Sequence, residues 1–237
     1  MKKQKYALVT GGTRGIGFAT AALLQNEGYL VTAAYSHEGE DAARAREALP
    51  SVRFLRADVT DEAAVKELIE GMERIDLLVC NAGVASFAQV QDISLSEWER
   101  VMRVNAGGVF LCCKHAVKKM LHVGEGGAIV NVSSIWGETG GSCESAYSAS
   151  KGAVISFTKA LAKELAPSKI TVNCVAPGVV HTAMNARFTS EELRAMEEDI
   201  PVGRMGEPEE IARAILFLGS EPYITGQILG VNGGAHI

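Results

Sequence analysis

A doubly wound α/β fold, with seven parallel strands in one domain and helices on both faces of the sheet, is what the sequence predicts. Three observations predict it. Short runs rich in β-branched residues alternate along the whole chain with longer stretches of helical period. The alternation is strict, so the chain reads as successive β-α-β units, whose strands pair in parallel. A glycine cluster, Thr10-Gly11-Gly12-Thr13-Arg14-Gly15-Ile16-Gly17, falls between the first strand and the first helix, where such sheets hold phosphate groups.

The strands expected in order are Tyr6 to Val9, Leu30 to Ala34, Val52 to Leu55, Leu77 to Cys80, Ala128 to Val132, Ile170 to Val175 and Ile228 to Val231. Between them the apolar spacing predicts helices at Ile16 to Glu27, Ala42 to Leu49, Glu62 to Met72, Glu97 to Val104, Val109 to Leu121, Tyr147 to Ala166 and Glu209 to Leu218. Ser94 with Glu97, Ser96 with Glu99 and Thr189 with Glu192 have capping-box spacing, and Pro208 suits a first helical position. The longest break in the alternation is residues 179–206, where a polar helix, Ser190 to Glu198, is inserted before the last β-α unit. That segment is read as a candidate lid over a ligand. No linker, repeat or low-complexity tract divides the 237 residues, so residues 1–237 are expected to form a single dinucleotide-binding domain.

Composition narrows the function. A hydrophobic content of 47% supplies a large core, and a net charge of -5 leaves no basic excess for a nucleic-acid backbone or an anionic membrane. Cationic Met1-Lys2-Lys3-Gln4-Lys5 is followed by only Tyr6 to Val9 before Gly11-Gly12, too short for a signal-peptide core. No apolar run approaches the roughly twenty residues that cross a bilayer. Cys80, Cys112, Cys113, Cys143 and Cys174 form an odd set without C-x-x-C spacing and sit mostly in apolar runs, as reduced core cysteines do. A soluble, cytoplasmic protein is expected. His37, His115, His122, His181 and His236 show no ligand spacing, so no metal is expected.

The glycine spacing is G-x-x-x-G-x-G, because Thr20 stands where the G-x-G-x-x-G fingerprint ends in glycine. Glycines at a strand-to-helix turn let the backbone approach a pyrophosphate at the positive end of the helix. At the adenosine end, the second strand runs into Ala33-Ala34-Tyr35-Ser36, with no acid before Glu38 to hold a ribose 2′-hydroxyl. Arg14 and Ser36 are instead placed to meet a 2′-phosphate, which predicts NADP(H) over NAD(H).

Asn81-Ala82-Gly83 follow the fourth strand, Asn105 lies between helices, Ser134 follows the fifth strand, and Tyr147 and Lys151 stand one helical turn apart. Together with Pro177-Gly178, Thr182, Thr225-Gly226-Gln227 and Val231-Asn232-Gly233-Gly234, this set resembles the short-chain dehydrogenase/reductase family, and most closely its 3-oxoacyl-acyl-carrier-protein reductases, which serve fatty acid biosynthesis. The likeness covers the whole chain and implies a Rossmann fold. It also implies a catalytic set of Asn105, Ser134, Tyr147 and Lys151. Lys151 at i+4 brings an ammonium near the Tyr147 phenol, so Tyr147 can protonate a carbonyl oxygen as hydride reaches the carbon. By the same likeness Ser134 holds the substrate oxygen, Asn105 positions a relay water, and Lys151 also holds the nicotinamide ribose. Ser133 adjoins Ser134, and the family separation from Tyr147 selects Ser134. Beyond Gly11, Thr13, Arg14, Gly15, Ile16, Gly17 and Ser36, the resemblance implies that Asp58 and Val59 flank the adenine. Asn81, Ala82 and Gly83 would line the cleft, and Val179 and Thr182, after Pro177 and Gly178, would meet the nicotinamide amide and pyrophosphate.

Substrate contacts are expected from Trp136, Cys143 and Glu144 and from the lid around Met184, Asn185 and Phe188, beyond the strand ends. Cys143 has no cationic neighbour in sequence, and Glu144 beside it opposes ionisation, so it reads as an inert thiol. Carrier reductases tend to have basic residues near the cleft; here Glu125-Gly126-Gly127 precede the fifth strand and Lys169 the sixth. A narrower resemblance, through Ser133-Ser134-Ile135-Trp136-Gly137, Ser142-Cys143-Glu144 and Ala146 to Lys151, is to reductases of the 5-aminopentanone modification on elongation factor P. There Glu144 would pair with the substrate amine. A non-enzymatic NADP(H)-sensing protein on the same fold is the third reading. The substrate is thus a small or carrier-bound ketone, with acyl carrier protein or elongation factor P as candidate partners. Family likeness also implies a homotetramer packed through Val109 to Leu121, Tyr147 to Ala166 and the C-terminal segment.

Overall fold

The computed structural model describes residues 3–185 and 188–237. In chain order, β1 (Lys5–Thr10) leads into α1 (Gly15–Asn26), β2 (Tyr29–Tyr35) into α2 (Glu40–Ala48), and β3 (Arg53–Arg56) into α3 (Glu62–Glu70). Next come β4 (Leu77–Cys80), α4 (Leu95–Met102), α5 (Gly108–Val123), β5 (Gly127–Val132), a one-turn α6 (Trp136–Thr139) and α7 (Ser145–Leu165). The chain continues through β6 (Ile170–Pro177), α8 (Ser190–Glu198), α9 (Pro208–Ser220) and β7 (Ile228–Val231). All seven expected strands are present, each within two residues of its expected bounds.

The strands form one parallel sheet in the order β3-β2-β1-β4-β5-β6-β7. Its core is divided by the two-residue period of the strands. Ala7, Val9, Leu77, Val79, Ala128 and Val130 face one side, where they pack with Ala21 and Leu24 of α1 and Ile211, Ile215 and Leu218 of α9. Leu8, Leu78, Cys80 and Ile129 face the other, against Val65, Leu68 and Ile69 of α3, Met120 of α5 and Val154 of α7. Successive side chains alternate faces, so strands covered by helices on both sides must be largely apolar, as the runs Ala7 to Val9 and Leu77 to Cys80 are.

Helix starts follow the capping chemistry in part. Asp61 accepts from Ala63 N at 2.9 Å and caps α3, and Thr189 with Glu192 makes a full capping box on α8, which spans the helix expected for the lid. Ser94 accepts from Glu97 N at 3.2 Å and starts α4 at Leu95. Ser96 is therefore already inside the first turn and cannot cap, which corrects its expected pairing with Glu99. Glu207 and Glu210 form a capping box around Pro208 that the sequence reading did not anticipate. The ends of the segment 179–206 are tied together: Val180 bridges to Gly206, with Gly206 N donating to Val179 O and His181 N to Gly206 O, both at 2.9 Å. Among the described residues no helix is long and apolar enough to cross a membrane, and no cluster of three metal-ligating side chains occurs.

Candidate active site

Strand order reverses between β1 and β4, so the crossovers leaving them go to opposite faces and open a crevice at their carboxyl ends. Thr10 and Asn81 pin its floor. The Thr10 hydroxyl accepts from Asn81 N at 3.0 Å and Ala82 N at 3.1 Å, and Asn81 Nδ2 donates to Thr10 O at 3.0 Å and Gly11 O at 3.2 Å. Gly11, at φ +66°, lies so close to Asn81 and Ala82 that a Cβ would stand 3.0 Å from both; one on Gly17 would stand 2.1 Å from Gly11 O. The loop is thereby folded tightly against the start of α1. No side chain caps α1 and its first turn contains no acid, so its end remains an anion cradle of backbone N–H groups. These features fit the pyrophosphate of a dinucleotide.

A cleft of about 1450 Å³ opens above this cradle. Gly11, Thr13, Arg14, Gly15 and Ile16 line it from the glycine loop, Ser36 from the end of β2, Asp58 and Val59 from beyond β3, and Asn81, Ala82 and Gly83 from beyond β4. Ser134, Tyr147 and Lys151 line it from beyond β5 and from α7, and Pro177, Gly178, Val179 and Thr182 from the end of β6 and the segment after it. Trp136, Glu144, Met184, Asn185 and Phe188 border the same space. Two expected residues stand behind the wall: Gly17, which packs on Gly11, and Asn105, which is fully buried.

Cys143 is not among the residues that line the cleft. Its backbone, at φ 60°, turns the loop outward, and its carbonyl accepts from Ala88 N at 2.8 Å, tying two rim loops together. Glu125 and Lys169 precede the N-terminal ends of β5 and β6, the edge of the sheet opposite the cleft, so neither bears on this chain's own cleft mouth. The Glu125 carboxylate is engaged by Lys3 and Arg74.

The pair expected to handle protons lies deep. Tyr147 is 8% and Lys151 4% exposed, with the Lys151 ammonium 5.6 Å from the centroid of the Tyr147 ring. Lys151 Nζ donates to Val132 O at 2.9 Å, and burial pulls its pKa down from 10.5 to about 8. Behind it the Cys174 thiol is pushed up to about 12, chiefly by burial, and stays protonated. The Ser133 hydroxyl donates to Lys151 O at 2.9 Å, whereas Ser134 Oγ accepts from Trp136 N at 3.2 Å and its proton meets no acceptor among the described residues. Asn105 sits in a π-helical turn, Arg103–Gly107, between α4 and α5. Its side chain is committed: Oδ1 accepts from Val84 N, and Nδ2 donates to Val84 O and Ser150 Oγ.

At the adenosine end, Arg14 Nη1 reaches Asp41 Oδ2 at 3.2 Å, and Ser36 Oγ lies 2.7 Å from His37 Nδ1. Glu38, the first acid after β2, is engaged by Arg46 and by the Tyr35 hydroxyl, which hold its carboxyl below the usual carboxylate range. Sequence reasoning missed Glu40 and Asp41 of α2 and Ser96, Glu99, Arg100 and Arg103 of α4 and the π turn, all of which line the cleft. Their one signal, a polar stripe at i, i+3, i+4 and i+7, looks the same as an ordinary solvated face.

The family model described as enoyl-(acyl carrier protein) reductase matches residues 11–236. The chain belongs to the short-chain dehydrogenase/reductase family. It is 41% identical to the oxidoreductase YmfI of Bacillus subtilis (strain 168), over 98% of this chain and 99% of that protein. It is likewise 41% identical to the 3-oxoacyl-[acyl-carrier-protein] reductase FabG of Aquifex aeolicus (strain VF5), over 97% of this chain and 96% of the relative. A cis-4-hydroxycyclohexanecarboxylate dehydrogenase of Sinomonas cyclohexanicum is 41% identical over 98% of this chain and 96% of its own length. As a short-chain dehydrogenase/reductase, the protein is an oxidoreductase of the FabG type with a parallel Rossmann sheet.

Proposed function

We propose that this protein is an NADPH-dependent carbonyl reductase that converts a ketone to a secondary alcohol, with a 3-oxoacyl thioester on acyl carrier protein as the substrate class. The observation that carries this reading is that Ser134, Tyr147 and Lys151 converge on the same cleft as the uncapped start of α1. The glycine loop and α1 would hold the pyrophosphate, Arg14 and Ser36 the 2′-phosphate, and Lys151 the nicotinamide ribose. A reduced nicotinamide held there supplies hydride. Tyr147 donates its phenolic proton to the substrate oxygen, Ser134 donates a hydrogen bond to that oxygen as charge develops, and the Lys151 ammonium stabilises the phenolate left behind. The Asn105 side chain is committed elsewhere, so its part in ordering a relay water falls to the remaining Oδ1 lone pair or its main chain.

The test is NADPH oxidation by the purified protein with an acetoacetyl thioester. Turnover that disappears in Tyr147→Phe supports the reading; no turnover on this or other ketones favours the NADP(H)-sensing alternative. A second enzymatic reading, reduction of the 5-aminopentanone modification on elongation factor P, draws support from Glu144, which lines the cleft three residues before Tyr147. Comparing the thioester with aminopentanone-modified elongation factor separates the two. We further propose a cytoplasmic homotetramer, since Phe110 and Leu121 of α5 are each 48% exposed and Phe217, Tyr223 and Ile237 leave apolar surface near the C-terminal edge. A monomer by light scattering would contradict that assembly.

A further inference from the structure

Two buried chains of hydrogen bonds grip α7 from the same kinds of group. In the first, Asn105 Nδ2 donates to Ser150 Oγ at 2.9 Å, and Ser150 Oγ donates to Tyr147 O at 2.7 Å. In the second, two turns along, Asn131 Nδ2 donates to Thr158 Oγ1 at 2.9 Å, and Thr158 Oγ1 donates to Val154 O at 2.8 Å. All four side chains are fully buried. Their far ends differ. Asn131 belongs to β5 and leads only into the core, whereas Asn105 also clasps Val84, accepting from its N–H at 2.8 Å and donating to its carbonyl at 2.9 Å. Val84 continues the Asn81-Ala82-Gly83 loop that lines the cleft.

We propose that Ser150 is a positioning residue that fixes the helix bearing Tyr147 and Lys151 at one distance from the loop after β4. The proposal rests on the reading of Tyr147 and Lys151 as the proton-handling pair. Ser150 is fully buried and does not line the cleft; it acts through the Tyr147 backbone on one side and through Asn105 and Val84 on the other. Without its hydroxyl, one Asn105 hydrogen is left buried and unmatched, and the site relaxes by turning Asn105 or shifting α7. Either movement changes the gap across the cleft, and a misplacement of about 1 Å in a reacting group costs on the order of a hundredfold in rate. Removing the Thr158 hydroxyl leaves the same kind of defect, but away from that gap.

The experiment compares Ser150→Ala and Thr158→Val in the full chain, measuring Tm, kcat, cofactor KM and the pH dependence of kcat. Both variants are expected to lose similar Tm. Only Ser150→Ala is expected to lose kcat, by on the order of 10- to 100-fold, to raise the cofactor KM and to move the alkaline limb of the pH profile. Ser150→Cys, which fills the same space with a weaker hydrogen-bonding group, is expected to fall between Ser150→Ala and the native protein, and it serves if the alanine variant does not fold. Equal small losses of kcat in both variants with an unmoved pH limb would overturn the proposal, while an inactive Tyr147→Phe would show that the catalytic reading itself still stands. Turnover surviving in Tyr147→Phe would sink that reading and this proposal together.

Discussion

Lys151 sets its ammonium 5.6 Å from the centre of the Tyr147 ring, yet among the described residues only one hydrogen bond, to Val132 O at 2.9 Å, supports the buried charge. Burial lowers its pKa from 10.5 to about 8. Below pH 8 the lysine is charged in folded and unfolded chains alike, and the burial penalty is fully present. Between 8 and 10.5 the unfolded chain binds a proton that the folded one does not, so stability rises with pH across that window. The gap corresponds to about 3 kcal/mol. Lys151→Met is therefore expected to be inactive but more stable than the native protein at pH 7, by about 1 to 3 kcal/mol once the lost Val132 bond is allowed for. The advantage should fade from pH 8 to 10.5 in denaturant titrations, and reductase activity of the native protein should fall as pH rises through about 8. A Lys151→Met protein less stable at every pH would contradict this account.

The neighbouring serines are separated by where their protons go. Ser133 donates to the Lys151 carbonyl, while Ser134 keeps its proton for the cleft. Ser134→Ala is expected to lower kcat by on the order of 10² to 10³ with little change in Tm. Ser133→Ala should instead lose about 1 kcal/mol of stability and keep most of its turnover. Steady-state kinetics beside thermal melts decide it, and the reverse pattern would reassign the substrate hydrogen bond to Ser133.

Gly17 and Gly39 offer a contrast in stability and binding. A methyl on Gly17 would stand 2.1 Å from Gly11 O, whereas one on Gly39 would meet nothing within 4 Å. Gly17→Ala must force the glycine loop away from α1, so NADPH affinity is expected to fall by at least about tenfold together with a loss of several kcal/mol of stability. Gly39→Ala should stay within about 0.5 kcal/mol of the native protein. Calorimetry with and without NADPH reads both.

The parallel sheet was legible because covered strands must be apolar on both faces, and runs such as Leu77 to Cys80 satisfy that without help from distant residues. The cleft lining was legible where a motif sits at a strand end, as with Gly11, Asn81 or Pro177. What escaped depends on contacts between elements distant in sequence. Ser150 meets Asn105 only because α7 passes the π turn, and Ser96, Glu99, Arg100 and Arg103 meet the cleft only through the packing of α4 and that turn beside it. The one-turn α6 is too short for periodicity to register.

Cofactor preference turns on a competition for one guanidinium. Arg14 contacts Asp41 at 3.2 Å across an exposed surface, where such a pair contributes at most about 1 kcal/mol. A 2′-phosphate, with its greater charge and bidentate geometry, is expected to displace that carboxylate. Arg14→Ala should therefore weaken NADPH binding by about tenfold or more and leave NADH nearly unchanged, while Asp41→Asn should tighten NADPH severalfold by removing the competitor. Equal catalytic efficiency with the two cofactors in the native protein would defeat the assignment.

Glu144 gives the sharpest division between substrates. Glu144 lines the cleft three residues before Tyr147, so a ketone held with its oxygen at the tyrosine is expected to carry its chain near that residue. A terminal ammonium gains there, by about 1.5 to 3 kcal/mol if the ion pair is hydrogen-bonded and shielded by the lid, whereas an acyl thioester has nothing for the carboxylate to bind. Glu144→Gln removes the charge and keeps the shape. If the substrate is aminated, the variant should raise KM for aminopentanone-modified elongation factor by on the order of tenfold and leave thioester kinetics close to native. If the substrate is a neutral acyl chain, the same change should leave thioester turnover unchanged or improved, and the native protein should show no advantage for the amine. Measured on one preparation of each protein, the ratio of the two specificity constants decides between the readings, because any loss of folded protein cancels from it.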